Sequence, residues 1–176
     1  YWRDPEFRVY LAVLGATTFV TVAVLVWNDV HDHPFTSLRS ALFHAVSVQT
    51  STGYTTENFA LWPGSLPVLL MFTTFIGGCA GSTAGGMKVI RWLLVLRQGT
   101  REVTRLIHPN AEVAVKLGDK PVGPRIVEAV WGFFAVYLVV FTLLMLALMG
   151  TGVDQITAFS AIATCINNVG PGLGEV

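Results

Sequence analysis

Charged residues are scarce in this chain. Lys and Arg number 11 and Asp and Glu 11, together 12% of 176 residues, roughly half the usual share of a soluble domain. Hydrophobic residues reach 53%. That balance argues against a soluble globule and for a polytopic membrane protein. Formal net charge is zero, so the total selects no partner of one sign, and nucleic acid is not expected. There are only two cysteines, Cys79 and Cys165, with neither CxxC nor metal-ligand spacing, so both read as small structural residues in apolar surroundings. Tyr1 replaces an initiator Met and no cleavable signal pattern follows; the last residue, Val176, comes just after a Gly-rich turn. The chain therefore reads as one part of a longer polypeptide.

What it has is long apolar runs of unequal kind. Val9 to Trp27 carries no charge over 19 residues, and at about 28 Å a helix there crosses a hydrocarbon core. Leu66 to Leu96 is a second stretch, bulky at first, then built only of Gly, Ala, Ser, Thr and Cys from Gly77 to Gly86, then carrying Lys88 and Arg91. Ile126 to Met149 is the third, with Glu128 near one end as an interfacial residue.

Two shorter segments, Ser37 to Thr50 and Asp154 to Asn167, are too short to cross, at roughly 20 Å each. Each starts on a residue able to cap a helix and breaks into a polar, Gly-containing stretch. That pattern predicts re-entrant helices that return as extended chain, which is tolerated in a membrane only where it is buried in protein or lines a water-filled path.

Lys and Arg set the orientation. Eight of the eleven lie from Lys88 to Arg125, and Arg3 and Arg8 precede the first span. The positive-inside rule makes residues 97–125 and the N-terminus cytoplasmic. Arg39 is the single exception on the other side, which otherwise holds Asp29, Asp32, Glu57, Asp154 and Glu175. An acidic mouth concentrates cations. Trp2, Trp92 and Trp131 fall near the inner boundary, Trp27 and Trp62 near the outer one, as an aromatic belt. Residues 97–125 read as a connector broken by Pro and Gly, with a short amphipathic helix at Glu102 to Ile107.

Placing Gly53 on Gly170 aligns 37–53 with 154–170 without gaps, Ser40-Ala41-Leu42 on Thr157-Ala158-Phe159. The chain then divides into a complete membrane–pore–membrane unit at 1–96 (spans 9–27 and 66–96, pore helix 37–50, filter 50–56), the connector 97–125, and the front of another unit at 126–176 (span 126–149, pore helix 154–167, filter 167–174). The fold class is all-α and integral to the membrane, with membrane helix–pore helix–filter–membrane helix repeats and an interrupted, Gly-rich transmembrane helix at 66–96, and such repetition is common in transport proteins.

The turn Gln49-Thr50-Ser51-Thr52-Gly53-Tyr54-Thr55-Thr56 resembles a potassium-channel filter. A dehydrating cation needs several carbonyl oxygens at once, and carbonyls line up on one side when some residues take φ > 0, which Gly permits. A short helix ending before the turn adds its negative end. No carboxylate lies inside either turn, which suits a mobile monovalent ion rather than Ca²⁺.

The small-residue stretch carries two readings. Gly77, Gly81 and Gly85 are spaced as overlapping GxxxG, a helix-packing pattern. Yet ten small residues in a row have poor helix propensity, and such a stretch can unwind beside a cavity. Lys88 either snorkels at a helix end or sits by the loop as a barrier to cations. His44 reads as packed, and His31-Asp32-His33 as a solvated outer loop rather than a metal site. An intramembrane hydrolase finds no GxSxG elbow at Ser82; a structural or adaptor protein leaves the duplicated turns without use.

The turn at Thr50–Thr56, the run Gly77-Gly78-Cys79-Ala80-Gly81-Ser82-Thr83-Ala84-Gly85-Gly86-Met87-Lys88, the connector Ile107-His108-Pro109-Asn110 and the turn Asn167–Gly174 together resemble the Trk/Ktr/HKT superfamily of potassium transporters, most closely its bacterial TrkH type, over essentially the whole chain. The resemblance implies four units around one pore, of which this chain is the third and the front of the fourth. It implies K⁺ as the transported ion with no covalently bound cofactor, and no enzyme activity. It places K⁺ coordination at Thr50, Ser51, Thr52, Gly53, Tyr54, Asn167, Asn168, Val169 and Gly170. It places a gate at Gly77, Gly78, Gly81, Ser82, Thr83, Gly85, Gly86 and Lys88. It further implies a bacterial inner-membrane location, a homodimer and a cytosolic nucleotide-binding regulatory subunit of TrkA/KtrA type. Channel-like flux and coupling to H⁺ or Na⁺ both stay open.

Overall fold

The computed structural model describes residues 4–108, 114–118 and 120–174. Six α-helices and one short hairpin are present among them: α1 Pro5–Trp27, α2 Pro34–Gln49, α3 Leu66–Ile76, α4 Val89–Ile107, β1 Lys116–Leu117, β2 Lys120–Pro121, α5 Pro124–Met149 and α6 Gln155–Asn167. Trp2, Arg3, Pro109, Asn110 and Glu175, which enter the sequence reading, lie outside the described residues.

Helix boundaries follow the capping chemistry. Asp4 caps α1, its Oδ1 accepting from the Glu6 amide at 2.9 Å, and Pro5 begins the first turn. The helix thus starts four residues before the expected 9. α2 begins at Pro34, not at Ser37. His33 stands at the cap without a side-chain hydrogen bond, and Ser37 is buried inside the helix. The fixed φ of a first-turn proline is sufficient to start it there. Asp154 does cap α6, accepting from Ile156 and Thr157 N–H at 3.0 and 3.1 Å.

The span at 66–96 is interrupted within its Gly-rich stretch, as expected: α3 stops after 11 residues, residues 77–88 are non-helical, and α4 starts at Val89. Gly77, Gly86 and Lys88 all take positive φ, at 68°, 74° and 69°, a region a helix excludes. Gly77, Gly81 and Gly85 therefore form no helical GxxxG stripe. α1 and α5 are long and apolar enough to cross a membrane; α3 is a shorter apolar helix. α4 runs unbroken to Ile107, so the expected short helix at 102–107 is the end of a longer one. The following segment pairs Lys116 with Pro121 and Leu117 with Lys120, a two-stranded hairpin that the all-α expectation lacked.

The main core gathers where α1, α2, α3 and α6 meet, around Leu25, Ala41, Leu66, Leu70, Met71 and Ala163. Trp62 belongs to this core at 6% exposure and lies edge-on to His44 with ring centroids 4.9 Å apart, so it is a packing residue and not part of an outer belt. A second cluster, Leu94, Val115, Val127 and Val130, seats the residues beside the hairpin on α4 and α5.

Leu70 is fully buried. Leu70→Ala should cost about 2–5 kcal/mol, seen as a lower thermal midpoint of the full-length parent in detergent with its oligomeric size unchanged.

Candidate functional site

The two polar turns repeat at the level of backbone geometry. After α2, Ser51 takes φ 57° and Gly53 φ 78°; after α6, Asn168 takes φ 54° and Gly170 φ 104°. Ser51 N–H donates to Val48 O at 3.2 Å, and Asn168 N–H to Cys165 O at 3.2 Å. Thr52 N–H donates to Ser47 O at 2.9 Å, and Val169 N–H to Thr164 O at 3.0 Å. Each pair is related by the same 117-residue offset, 168 − 51 and 170 − 53. Both helices thus end in a left-handed residue that closes the last carbonyls and turns the chain back on itself.

The turns meet each other. A Cβ on Gly53 would overlap the Val169 carbonyl oxygen and lie 3.3 Å from Pro171 Cδ. A cleft of about 320 Å³ separates Thr55–Phe59 of one return limb from Pro171 and Gly172 of the other.

Three side chains on one face of α2 hold the first return limb. Ser47 Oγ donates to Tyr54 O at 2.6 Å. His44 Nε2 lies 3.2 Å from Glu57 O, and its Nδ1 2.8 Å from Ser40 O. Ser40 Oγ donates to Glu57 Oε1. His31 Nε2 sits 3.2 Å from Glu57 Oε2, and Nδ1 3.1 Å from Ser37 Oγ. His31 is thus tied to the limb and not a free loop residue. Burial pushes the Glu57 carboxyl up, but the hydrogen bonds from Ser40 and His31 outweigh it and hold the group below the usual carboxylate value.

The expected coordinating residues do not all face one way. The Tyr54 carbonyl is turned to Ser47 on α2, and its ring is 72% exposed. Thr50 Oγ1 donates back to Val46 O at 2.7 Å and pairs with Thr52 Oγ1 at 2.8 Å. The Asn167 side chain is fully buried, donating to Ala163 O at 2.8 Å and accepting from Tyr137 OH at 2.9 Å. It serves packing between α5 and α6, leaving its backbone to the turn. Ser51 Oγ accepts from Gly85 N–H at 3.0 Å.

That last contact joins the non-helical stretch 77–88 to the turns. A Cβ on Gly85 would overlap Asn167 O and sit 3.3 Å from Ser51 Oγ, so this glycine touches both turns at once. The stretch folds on itself: a Cβ at Gly77 would overlap Gly85 O, and one at Gly86 would stand 2.7 Å from Thr74 O. Gly78 faces Ser82 and Ala84, whereas Gly81 has open space around it. Met87 N–H donates to Phe75 O, and Val89 N–H to Gly78 O, both at 3.1 Å. Ser82 and Thr83 are exposed, and Ser82 Oγ donates to Cys79 O at 2.8 Å. Lys88 does not snorkel. Its ammonium folds onto the stretch, donating to Ser82 O at 2.9 Å and to Ala84 O.

Ser40, Ser47 and Glu57 are site-positioning residues that the sequence reading did not single out. Their signal was available: Ser40, His44 and Ser47 fall at i, i+4 and i+7, one face of a helix. Among the described residues, no cluster of His, Cys, Asp or Glu is arranged to hold a metal ion.

The family model TrkH, described as a cation transport protein, matches residues 1–176. The chain is 51% identical over 176 residues to the Trk system potassium uptake protein TrkH of Salmonella typhimurium and 49% identical to that of Escherichia coli. It is 38% identical to the Trk system potassium uptake protein TrkG of Escherichia coli. In the first two comparisons the whole chain is covered, and it spans 36% of the relative's length. The crystal structure of the potassium transporter TrkH from Vibrio parahaemolyticus superposes with a TM-score of 0.93 at 50% identity, covering 99% of this chain and 37% of that one.

Two measurements test the strap on α2. Ser47→Ala removes one hydrogen bond and should cost about 1 kcal/mol in the full-length parent, read by thermal unfolding. Because the Glu57 carboxyl is lowered, its contribution is present above the ordinary carboxylate value and is lost as pH falls through the lowered one. The thermal midpoint of wild type should drop across that acid range, and Glu57→Gln should flatten the drop.

Proposed function

The chain belongs to the TrkH family of cation transport proteins, and on that premise we propose that it forms the third unit and the front of the fourth in a K⁺ uptake pore. The observation that supports this best is the convergence of two geometrically alike turns on one glycine, Gly85. Backbone carbonyls of Thr50 to Gly53 and of Asn167 to Gly170 coordinate the ion. They do so above the 77–88 loop, with α2 and α6 ending at the turns and adding their negative poles. Tyr54 contributes by position, since its carbonyl is engaged by Ser47.

The 77–88 loop is the gate: Gly77, Gly78, Gly81, Ser82, Thr83, Gly85, Gly86 and Lys88 close the path beneath the turns. α1, the interrupted α3–α4 pair and α5 cross a bacterial inner membrane, with the N-terminal side of α1 and the α4–hairpin segment in the cytosol. That segment faces a nucleotide-binding regulatory subunit, and the whole protein is a homodimer. Asn167 to Val169 depart from the Thr50 to Thr52 pattern. A pore built from unequal turns favours K⁺ over Na⁺ less strictly than a fourfold-symmetric filter, which is the specific reason to keep a less selective monovalent-cation transporter as the second reading.

The test is tracer Rb⁺ and Na⁺ uptake into liposomes carrying the full-length parent, with Gly53→Ser beside wild type. Rb⁺ should be preferred, and the preference should fall severalfold in the variant, whose Cβ meets Val169 O. A folded wild-type protein that passes neither ion rejects the pore. Gly81→Leu, at a position with open surroundings, should change uptake rate and leave the Rb⁺/Na⁺ ratio alone. A changed ratio at unchanged rate removes the loop from the gate.

A further inference from the structure

Glu6 is a buried carboxylate that no part of the pore reading uses. It is 8% exposed, and its Oε1 accepts from the Ala80 N–H at 2.6 Å, across 74 residues of sequence. An acid in the first turn of a helix is favoured by the helix dipole, but that preference is met equally well at an exposed position. It does not call for burial, nor for a partner in the middle of another segment. A carboxylate acceptor makes a stronger hydrogen bond than a neutral one.

Apart from the bonds that the 77–88 loop makes to itself and to the helices flanking it, its hydrogen bonds to other elements are two among the described residues. Gly85 is held from the turn side by Ser51, and Ala80 is held from the α1 side by Glu6. We infer that Glu6 is the positioning residue that latches the 77–88 loop in its closed place, acting through the Ala80 amide rather than by touching the ion. This rests on the reading of that loop as the gate. For the loop to clear the path, the Ala80 bond has to break, and its loss in a variant should raise the open fraction by roughly tenfold, the scale of one charge-assisted hydrogen bond.

Cys79 adjoins Ala80 and is partly exposed, which gives a readout independent of transport. In the full-length parent with every other thiol removed, the rate of Cys79 modification by a water-soluble thiosulfonate is measured across pH up to its plateau, where the thiol is fully ionised, for wild type, Glu6→Gln and Glu6→Ala, and the plateau rates are compared. Tracer Rb⁺ and Na⁺ uptake is measured on the same preparations. Glu6→Ala should speed modification about tenfold and raise uptake at an unchanged Rb⁺/Na⁺ ratio. Glu6→Gln, which keeps a neutral acceptor and the same shape, should fall between the two, and it carries the test if the alanine variant does not fold. An unchanged modification rate in folded Glu6→Ala and Glu6→Gln overturns the latch. Faster modification with unchanged uptake leaves the latch in place and overturns the gate reading on which its role in conduction rests.

Discussion

Every backbone amide and carbonyl in an apolar slab has to be satisfied inside the protein, at a cost of several kcal/mol for each one that is not. The helices meet this demand by themselves. The chain leaves helical geometry at 50–56, 77–88 and after 167, and the arrangement of everything else follows from where those three segments find partners. Thr52 and Gly53 return to Ser47 O, Val169 to Thr164 O, Met87 to Phe75 O and Val89 to Gly78 O. Gly85 crosses to Ser51. The glycines at the crossings are there because backbone lies where a Cβ would be: Val169 O against Gly53, Asn167 O against Gly85. Packing supplies the pressure that keeps these contacts closed, with Leu66, Leu70 and Met71 of α3 buried against α1, α2 and α6.

The two units solve the same geometric problem with different side chains. In the first, Ser40, His44 and Ser47 grip the return limb and Glu57 gathers Ser40 and His31. In the second, the aligned positions are Thr157, Ala161 and Thr164, and no residue matches Glu57 because Gly174 stands there. The limb is held instead by Ser160, whose hydroxyl accepts from Leu173 N–H, and by the Asn167–Tyr137 bond to α5. The first turn is thus braced by a polar face of three residues on its own helix, the second by a single serine on its own helix together with a bond to the neighbouring helix α5. The backbone angles agree although the braces do not, which locates the shared requirement in the turn itself.

Much of this was legible in the sequence, and the misses have physical causes. Long uncharged runs and a 117-residue offset between glycines are local or periodic signals, and they marked α1, α5, the short helices and the paired turns. From residue types alone, 77–88 suits packing as well as unwinding; the resemblance decides for the loop, and Thr74 O and Gly85 O filling the space beside Gly86 and Gly77 are contacts that no local pattern encodes. Trp62 was placed by its distance from a span end, but its ring found His44 and the α3 core. The bond from Glu6 to Ala80 joins positions 74 residues apart and has no periodicity to betray it. Ser37 was passed over as a cap because Pro34 starts the helix a turn earlier.

Lys88 shows how one side chain can saturate the carbonyls of a non-helical segment. Neither turn, 50–56 or 167–174, contains a carboxylate. In the 77–88 loop, the carbonyls of Ser82 and Ala84 both accept from the Lys88 ammonium. A primary ammonium is a tethered cation of unit charge with strong demands for oxygen partners. On the proposed reading of the loop as the gate, it fills what would otherwise be a carbonyl site for a cation, and its charge opposes an ion approaching the loop. The strained backbone at Lys88, φ 69° and ψ 137°, costs on the order of 1–3 kcal/mol for a residue with a Cβ, and it stands at the start of α4 with its side chain turned back over the loop. A glycine at 88 would relieve the strain and lose the charge. On the proposed reading of the loop as the gate and the turns as the ion site, a lysine at 88 supplies the charge that keeps cations out of the loop while the turns receive them.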